Sequence, residues 1–414
     1  MLAAICLPVF ALTMPNARAE PTVEVLHYWT SGGEAKAASA LKKDFEGHGG
    51  KWIDSPVAGG GGSAAMTVLR SRVLSGDAPT AVQLKSPAIL EWAEQGALAN
   101  LDDVATKEHW NDILPKRLQT LMQYDGHYVA VPVNIHRTDM IWANPELLAS
   151  VGAGDVPKSW DEFNTLAEKL QAKGVIPLAL GGQPWQEVIL FENVVLGIGG
   201  TEFYQKALID LDEEALKSDT MEKVFDEMRI LRGFVDADFS GRDWNLTTAM
   251  VMNGKAAMQI MGDWAKGEFL AAGKVPGKDF LCVSTPSKDG YLFNTDSFAM
   301  FEVSGDDKVA GQKLLAELIV GEKFQETFNL LKGSIPARLG VLMDKFDECA
   351  LQSEKDMQAS QGSDGFLPSV GVDMALPGAL TGAIVDTVTS HFNSDMSSDD
   401  AVSKLLENIE LARD

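Results

Sequence analysis

Only three cysteines occur in 414 residues, Cys6, Cys282 and Cys349. So few cannot form the disulfide framework on which small secreted domains depend. Cys282 and Cys349 remain if the N-terminus is removed, and they can then pair in an oxidising compartment or stay as thiols. The six histidines show no metal-ligand spacing, and Asp102-Asp103 and Asp399-Asp400 lack the calcium-loop pattern. No metal or cofactor is expected. Basic residues are also short: 35 Lys and Arg face 59 Asp and Glu, a formal charge of −24. That balance excludes nucleic acid and anionic membranes as main partners, and it favours neutral over anionic solutes. Long hydrophobic runs are missing except at the start. Leu2 to Met14 is too short to span a bilayer. Asn16-Ala17-Arg18-Ala19 then supplies an A-x-A pattern directly before the first strand, although no basic segment precedes the apolar run. An export signal over residues 1–19 is expected in preference to a buried N-terminal helix. Ile5 before Cys6 is not the small residue a lipid anchor requires.

What remains is an ordinary globular composition, 45% hydrophobic and 23% charged, in a chain too long for one core. Two lobes are expected. The organising stretch is Val23 to Glu34. Val23, Val25 and Leu26 suit a buried parallel strand, Gly32-Gly33 permits a sharp turn, and a helix with Ala37, Leu41 and Phe45 on one face follows. Ligands in open α/β sheets sit beyond the carboxyl ends of strands, which is where Tyr28, Trp29 and Glu34 stand. An indole beside a carboxylate suits a sugar, whose C–H face is apolar and whose hydroxyls need charged partners.

Further strands and helices alternate along the chain. Lys51–Val57 reads as a strand leading through Ala58–Ser63 into a helix; the glycine run lacks the Lys-Ser/Thr of a phosphate-binding loop. Ala78–Pro87 is a third strand with Lys85 at its carboxyl end, and Leu98–Val104 reads as a surface turn. Crossovers between lobes are expected near Val131–Asn134, at Phe293–Phe301 and at Lys332–Arg338. Ser159 and Glu162 form a capping box. Trp185 follows a Gly turn, Trp244 opens a helix, and Gly262-Asp263-Trp264 closes a strand. Asp307 to Leu331 reads as one helix.

Three segments resemble the extracellular solute-binding proteins of ABC sugar importers, the group that includes maltose- and glucose-binding proteins. They are Ile141–Asn144 running on to Pro157–Phe163, Asn253–Met258 followed by Gly262-Asp263-Trp264, and Lys332–Arg338. Within that group the opening is similar to periplasmic glucose-binding proteins, which carry paired tryptophans before Thr-Ser-Gly-Gly-Glu; here Tyr28-Trp29 precedes the same five residues. The resemblance implies an α/β, two-lobed periplasmic-binding-protein fold with a hinge and an interlobe cleft. Residues 20–133 and 294–333 would form the N-terminal lobe, and 134–293 and 334–414 the C-terminal lobe. It implies a monomeric periplasmic receptor that delivers a mono- or short oligosaccharide, glucose-like by preference, to an inner-membrane permease. Trp29 and Trp264 would flank the sugar, and Lys85, Asp296 and Lys332 would bind its hydroxyls, with Glu34 assisting. Asn134, Trp185, Trp244, Asp263 and Arg338 are further candidates. Glucose-binding members carry a sugar-contacting histidine after Pro-Ser-Val; Pro368-Ser369-Val370-Gly371-Val372 puts Val372 there, so Tyr28 and Val372 are expected to tune specificity.

Each of these side chains also has a purely structural reading. Glu34 can stabilise a helix N-terminus, Asp263 can be a turn residue, and Lys85 and Lys332 can be salt-bridged or solvated. Trp52, Trp92, Trp110, Trp142 and Trp160 are assigned to packing, and His27 to a structural role. Two functional rivals stand beside the receptor. One is a glycoside-cleaving enzyme using Glu34 with Asp263 or Asp296. The other is a receptor for an anionic solute held by Lys85 and Lys332.

Overall fold

The computed structural model describes residues 19–287 and 290–413; of the expected export signal, all but Ala19 lies outside the described residues. The first lobe is built on a five-stranded sheet. Its strands are, in spatial order, Lys51–Pro56, Thr22–His27, Ala81–Leu84, Ser297–Met300 and Ala130–Pro132. The first three run parallel, and Ser297–Met300 returns antiparallel to both its neighbours. Val23, Val25 and Leu26 are fully buried in it. The helix Gly32–Gly47 packs Ala37, Leu41 and Phe45 against that core.

The second lobe has a sheet in the order Leu281–Ser284, Met140–Ala143, Ala256–Ile260, Ile176–Ala179. Asn144 caps the helix Pro145–Ser150, accepting from the Glu146 and Leu147 amides at 3.1 Å. Ser159 caps the helix Trp160–Ala172 by accepting from the Glu162 amide at 3.2 Å. A smaller sheet of Ile335–Pro336, Asn134–Arg137, Tyr291–Asn294 and Phe366–Pro368 lies where the chain passes between lobes. Cys282 and Cys349 form a disulfide, joining the strand Leu281–Ser284 to the helix Glu348–Gln361.

Three passages between the sheets lie side by side. The Val133 amide donates to the Asp296 carbonyl at 2.8 Å, and the Asp296 amide donates to Asn134 Oδ1 at 2.8 Å. Ser334 Oγ donates to Asn329 Oδ1 at 2.6 Å, and Asn329 Nδ2 reaches the Val133 carbonyl at 3.3 Å. Gly333 takes φ +93°, and a Cβ there would meet the Asp263 carbonyl at 2.5 Å. Only glycine fits that close, left-handed position.

Two local expectations are corrected. The Leu98–Val104 turn gives way to a short helix, Asp102–Lys107, with two acidic residues favouring its N-terminal end. The stretch Asp307–Leu331 is two helices, Asp306–Ile319 and Glu322–Lys332. Gly321 is extended between them, and Gln325 Nε2 takes up the Ile319 carbonyl at 2.8 Å. The break therefore leaves that buried carbonyl satisfied.

Candidate ligand-binding site

Between the two lobes lies a cavity of about 160 Å³. Tyr28, Trp29, Glu34, Lys85, Asp296 and Lys332 line it from one side and from the crossovers; Trp185, Trp244, Trp264 and Val372 face them. These ten sequence candidates share one hollow although up to 344 positions separate them (Tyr28 to Val372).

Each is positioned by a local device. His27 Nε2 pairs with Asp54 at 2.9 Å, and its Nδ1 accepts the Trp29 amide at 3.3 Å, fixing the chain as it leaves the first strand. The Trp29 indole meets Phe298 edge-on at 5.5 Å and Phe328 at 5.2 Å, so it is anchored in the first core while it forms a cavity wall. Trp264 opens the helix Trp264–Ala271 and stands 6.3 Å from Trp185 and 5.2 Å from His136, ring centre to ring centre. Trp185 Nε1 donates to Gln183 Oε1 at 2.9 Å.

Charge is arranged in compensating sets. Lys332 Nζ donates to Glu34 Oε1 at 2.9 Å and lies 6.0 Å from the Trp29 ring and 5.9 Å from the Trp264 ring. Burial disfavours its ammonium form, but Glu34 and Asp296 more than offset that and raise its pKa. Burial likewise opposes ionisation of Asp296, yet His136, Lys332 and Lys85 hold it well below the usual carboxylate range. Its oxygens accept from Gln83 Nε2 at 3.1 Å and Asn134 Nδ2 at 2.9 Å. Lys85 is different. Desolvation lowers its pKa. Its ammonium stands 5.7 Å from the centre of the Tyr28 ring, with no hydrogen bond or ion pair among the described residues.

Three candidates do not reach the cavity wall. Asn134 is fully buried behind Asp296, which it hydrogen-bonds. Asp263 lies behind His136, accepting from its Nδ1 and from the Arg137 amide. Both are positioning residues. Arg338 turns away altogether: it donates to the Val320 carbonyl at 2.8 Å and pairs with Glu322 at 3.2 Å. It completes the C-terminal end of the helix Asp306–Ile319, where a cation and unpaired carbonyls attract one another.

Several residues in or behind the wall escaped the sequence reading. His136 bridges Asp263 and Asp296, both its ring nitrogens facing carboxylate oxygens. Gln83 ties the Tyr28 amide to Asp296. Asn294 is nearly buried in the wall, and its Oδ1 has no hydrogen-bond partner. An acceptor left so is costly unless a ligand or water donates to it. Gln83 and Asn294 are each the one polar residue of a short apolar strand, which gives no periodic signal. His136 lies in the mixed strand Asn134-Ile135-His136-Arg137, where no alternation marks the residue that faces the cavity; a polar residue at a crossover was the one available clue.

The sequence matches the family described as "Bacterial extracellular solute-binding protein" over residues 29–319. It is 52% identical over 399 residues to a probable sugar-binding periplasmic protein of Brucella melitensis biotype 1, covering 96% of this chain and 94% of that one. It is 50% identical over 403 residues to a protein of the same description from Rhizobium meliloti, covering 97% of each. The fold is similar to the solute receptor AcbH, described as preferring β-D-galactopyranose, with TM-score 0.79, 18% identity and 94% and 98% of the two chains covered. It is also similar to maltose-bound MalE3 of T. maritima, with TM-score 0.75, 16% identity and 94% and 99% covered. At that identity the two structures speak for the fold alone. The chain belongs to the family of bacterial extracellular solute-binding proteins.

Proposed function

We propose that this protein is a periplasmic receptor that captures a neutral sugar between its lobes and hands it to an ABC permease in the inner membrane. The observation that carries this reading is the cavity itself: four aromatic side chains, Trp29, Trp185, Trp244 and Trp264, and a charge-balanced polar set, Glu34, Lys85, Asp296 and Lys332, line one hollow. Indole faces take the apolar C–H surface of a pyranose, and the ionised groups take its hydroxyls. Asn294 Oδ1 supplies a further acceptor. The probable sugar-binding periplasmic proteins of Brucella and Rhizobium, near half-identical over nearly the whole chain, support both the ligand class and the compartment.

The lobes, residues 20–133 with 294–333 and residues 134–293 with 334–414, turn about the three crossovers. Closure brings Glu268 onto the Gly33 amide, 2.7 Å away, and Gly61 under the Trp185 indole, where a Cβ would come within 3.2 Å. Sugar favours the closed state because both halves contact it.

The two rival readings fit less well. Asp263 stands behind His136 and cannot flank a bond in the cavity with Glu34. Asp296 is held ionised, and Glu34 is ion-paired with the Lys332 ammonium, so neither offers the protonated acid that glycoside cleavage requires. Lys332 is already neutralised by Glu34, so an anion would find one free cation rather than two.

The test is a thermal-shift screen over neutral monosaccharides and short oligosaccharides, followed by recovery of the bound sugar. A stabilising sugar recovered unchanged and in stoichiometric amount is expected. Turnover of that sugar would overturn the receptor reading.

A further inference from the structure

A second chamber adjoins the first. It measures about 280 Å³ and shares Tyr28, Gly61, Gly62 and Lys85 with the cavity already described. Beyond that common wall it runs between the helices Ser63–Leu74 and Ser86–Glu94 of the first lobe and the loop around Asp373 of the second. Both lobes therefore build it, and Glu91 Oε1 accepts the Gly378 amide across the gap at 3.3 Å.

Its walls mix apolar and charged groups. Met66, Ala88 and Leu376 offer apolar surface, while Arg70, Glu91 and Asp373 offer donors and acceptors. Arg70 is exposed and has no hydrogen bond or ion pair among the described residues. Asp373 takes φ +57°, an uncommon backbone for a residue with a Cβ. That conformation belongs to a loop that turns Val372 toward the first chamber and Asp373 toward the second. Glu192 pins the loop by accepting from the Val370 and Gly371 amides at 2.7 and 3.0 Å. At the junction of the two chambers stands Lys85, likewise without a side-chain hydrogen bond or ion pair among the described residues.

Resting on the sugar-receptor reading above, we infer that the second chamber is a subsite for a second sugar ring, and that the protein's ligand is a disaccharide or longer, with Lys85 donating at the junction between rings. The first ring lies among the indoles. The second lies on Met66 and Leu376, with its hydroxyls toward Arg70, Glu91 and Asp373. A ring in the first chamber alone leaves Lys85 half-used and the second chamber filled with water.

The experiment compares D-glucose and D-galactose with maltose, cellobiose and lactose by titration calorimetry, on the full mature chain. At least one disaccharide is expected to bind about tenfold or more tightly than its constituent monosaccharides. Ala88→Phe, which fills the second chamber, is expected to remove that advantage while leaving monosaccharide affinity within about twofold. Arg70→Ala, at an exposed position that does not threaten folding, is expected to weaken the disaccharide selectively. A monosaccharide that binds as tightly as every disaccharide, with both variants leaving all affinities unchanged, overturns the subsite but not the receptor. Failure of every sugar, single or double, to bind overturns the receptor reading and the subsite with it.

Discussion

Lys332 and Glu34 meet across 298 residues of sequence, Nζ to Oε1 at 2.9 Å, and the pair closes one corner of the cavity. Lys332 lies at the end of a helix entering a crossover, and Glu34 in the first turn of the helix after the first strand. The ammonium is almost wholly buried, so its charge is tolerable only with Glu34 and Asp296 beside it.

Lys332→Met keeps the apolar stem and removes the charge. It leaves the Glu34 carboxylate without its cation and Asp296 with one fewer, which is expected to cost on the order of 3–5 kcal/mol of stability. Adding Glu34→Gln is expected to restore much of the melting temperature but not sugar affinity. Recovery of both in the double variant would mean that the pair serves the fold alone. Melting curves and calorimetry on the three proteins decide between these outcomes.

Val372 occupies the place where the resemblance to glucose-binding proteins implies a histidine, and it does line the cavity. Val372→His adds a polar contact to a hydroxyl otherwise left facing a methyl group. One such hydrogen bond is worth roughly 1–3 kcal/mol when its absence leaves a buried group unpaired. Glucose affinity is therefore expected to rise about tenfold or more. An unchanged sugar ranking would show that the segment does not touch the ligand.

The parts of this molecule that were legible in its sequence are those where one residue type at one place has few alternatives. A buried strand ending in Tyr28-Trp29 and followed by Gly-Gly points at the cleft whatever the rest does, and so does Trp264 after its strand. Two-lobed architecture followed from length and from strand–helix alternation. Arg338 misled because nothing local distinguishes an arginine facing a cavity from one that satisfies helix carbonyls. Asp263 and Asn134 lie one layer back because His136 and Asp296 stand in front of them, and depth along a side-chain relay has no sequence period. Asn294 was missed because it is the lone polar residue in a strand with three apolar neighbours, and His136 because Asn134 and Arg137 beside it are polar too, so nothing in Asn134-Ile135-His136-Arg137 singles it out. The break at Gly321 was hidden by the apolar periodicity that continues on both sides of it.

The disulfide has a separate role. Cys282 and Cys349 are 67 residues apart and join the second sheet to a helix that does not line the cavity. Closing a loop of that length restricts the unfolded chain by about 4 kcal/mol in the chain-entropy account. Cys349→Ser is thus expected to lower the midpoint of urea denaturation while leaving sugar affinity within about twofold. A matching loss of affinity would mean that the bond also holds the site.

His136 gives the protein a specific pH response. It is fully buried between Asp263 and Asp296, with Lys332 nearby opposing its charge. Burial alone would depress its pKa, but the two carboxylates win and raise it above the ordinary value of 6.5. A histidine whose folded pKa is raised contributes stability that is complete below about pH 6.5 and is lost as pH climbs through the raised value. Asp296 has the opposite sign: its depressed pKa contributes stability above the ordinary carboxylate value, lost only in strong acid. Glu192, pushed up to about 7 chiefly by burial, also costs stability as pH rises from 4.5 to about 7. That cost is common to the wild type and to any variant at position 136, so it cancels in a comparison. Melting temperatures measured between pH 5 and pH 9 at fixed ionic strength should therefore fall more steeply above about pH 6.5 for the wild type than for His136→Gln. Parallel curves over that interval would show that His136 is neutral throughout, and the imidazolium bridge between the two carboxylates would have to be abandoned.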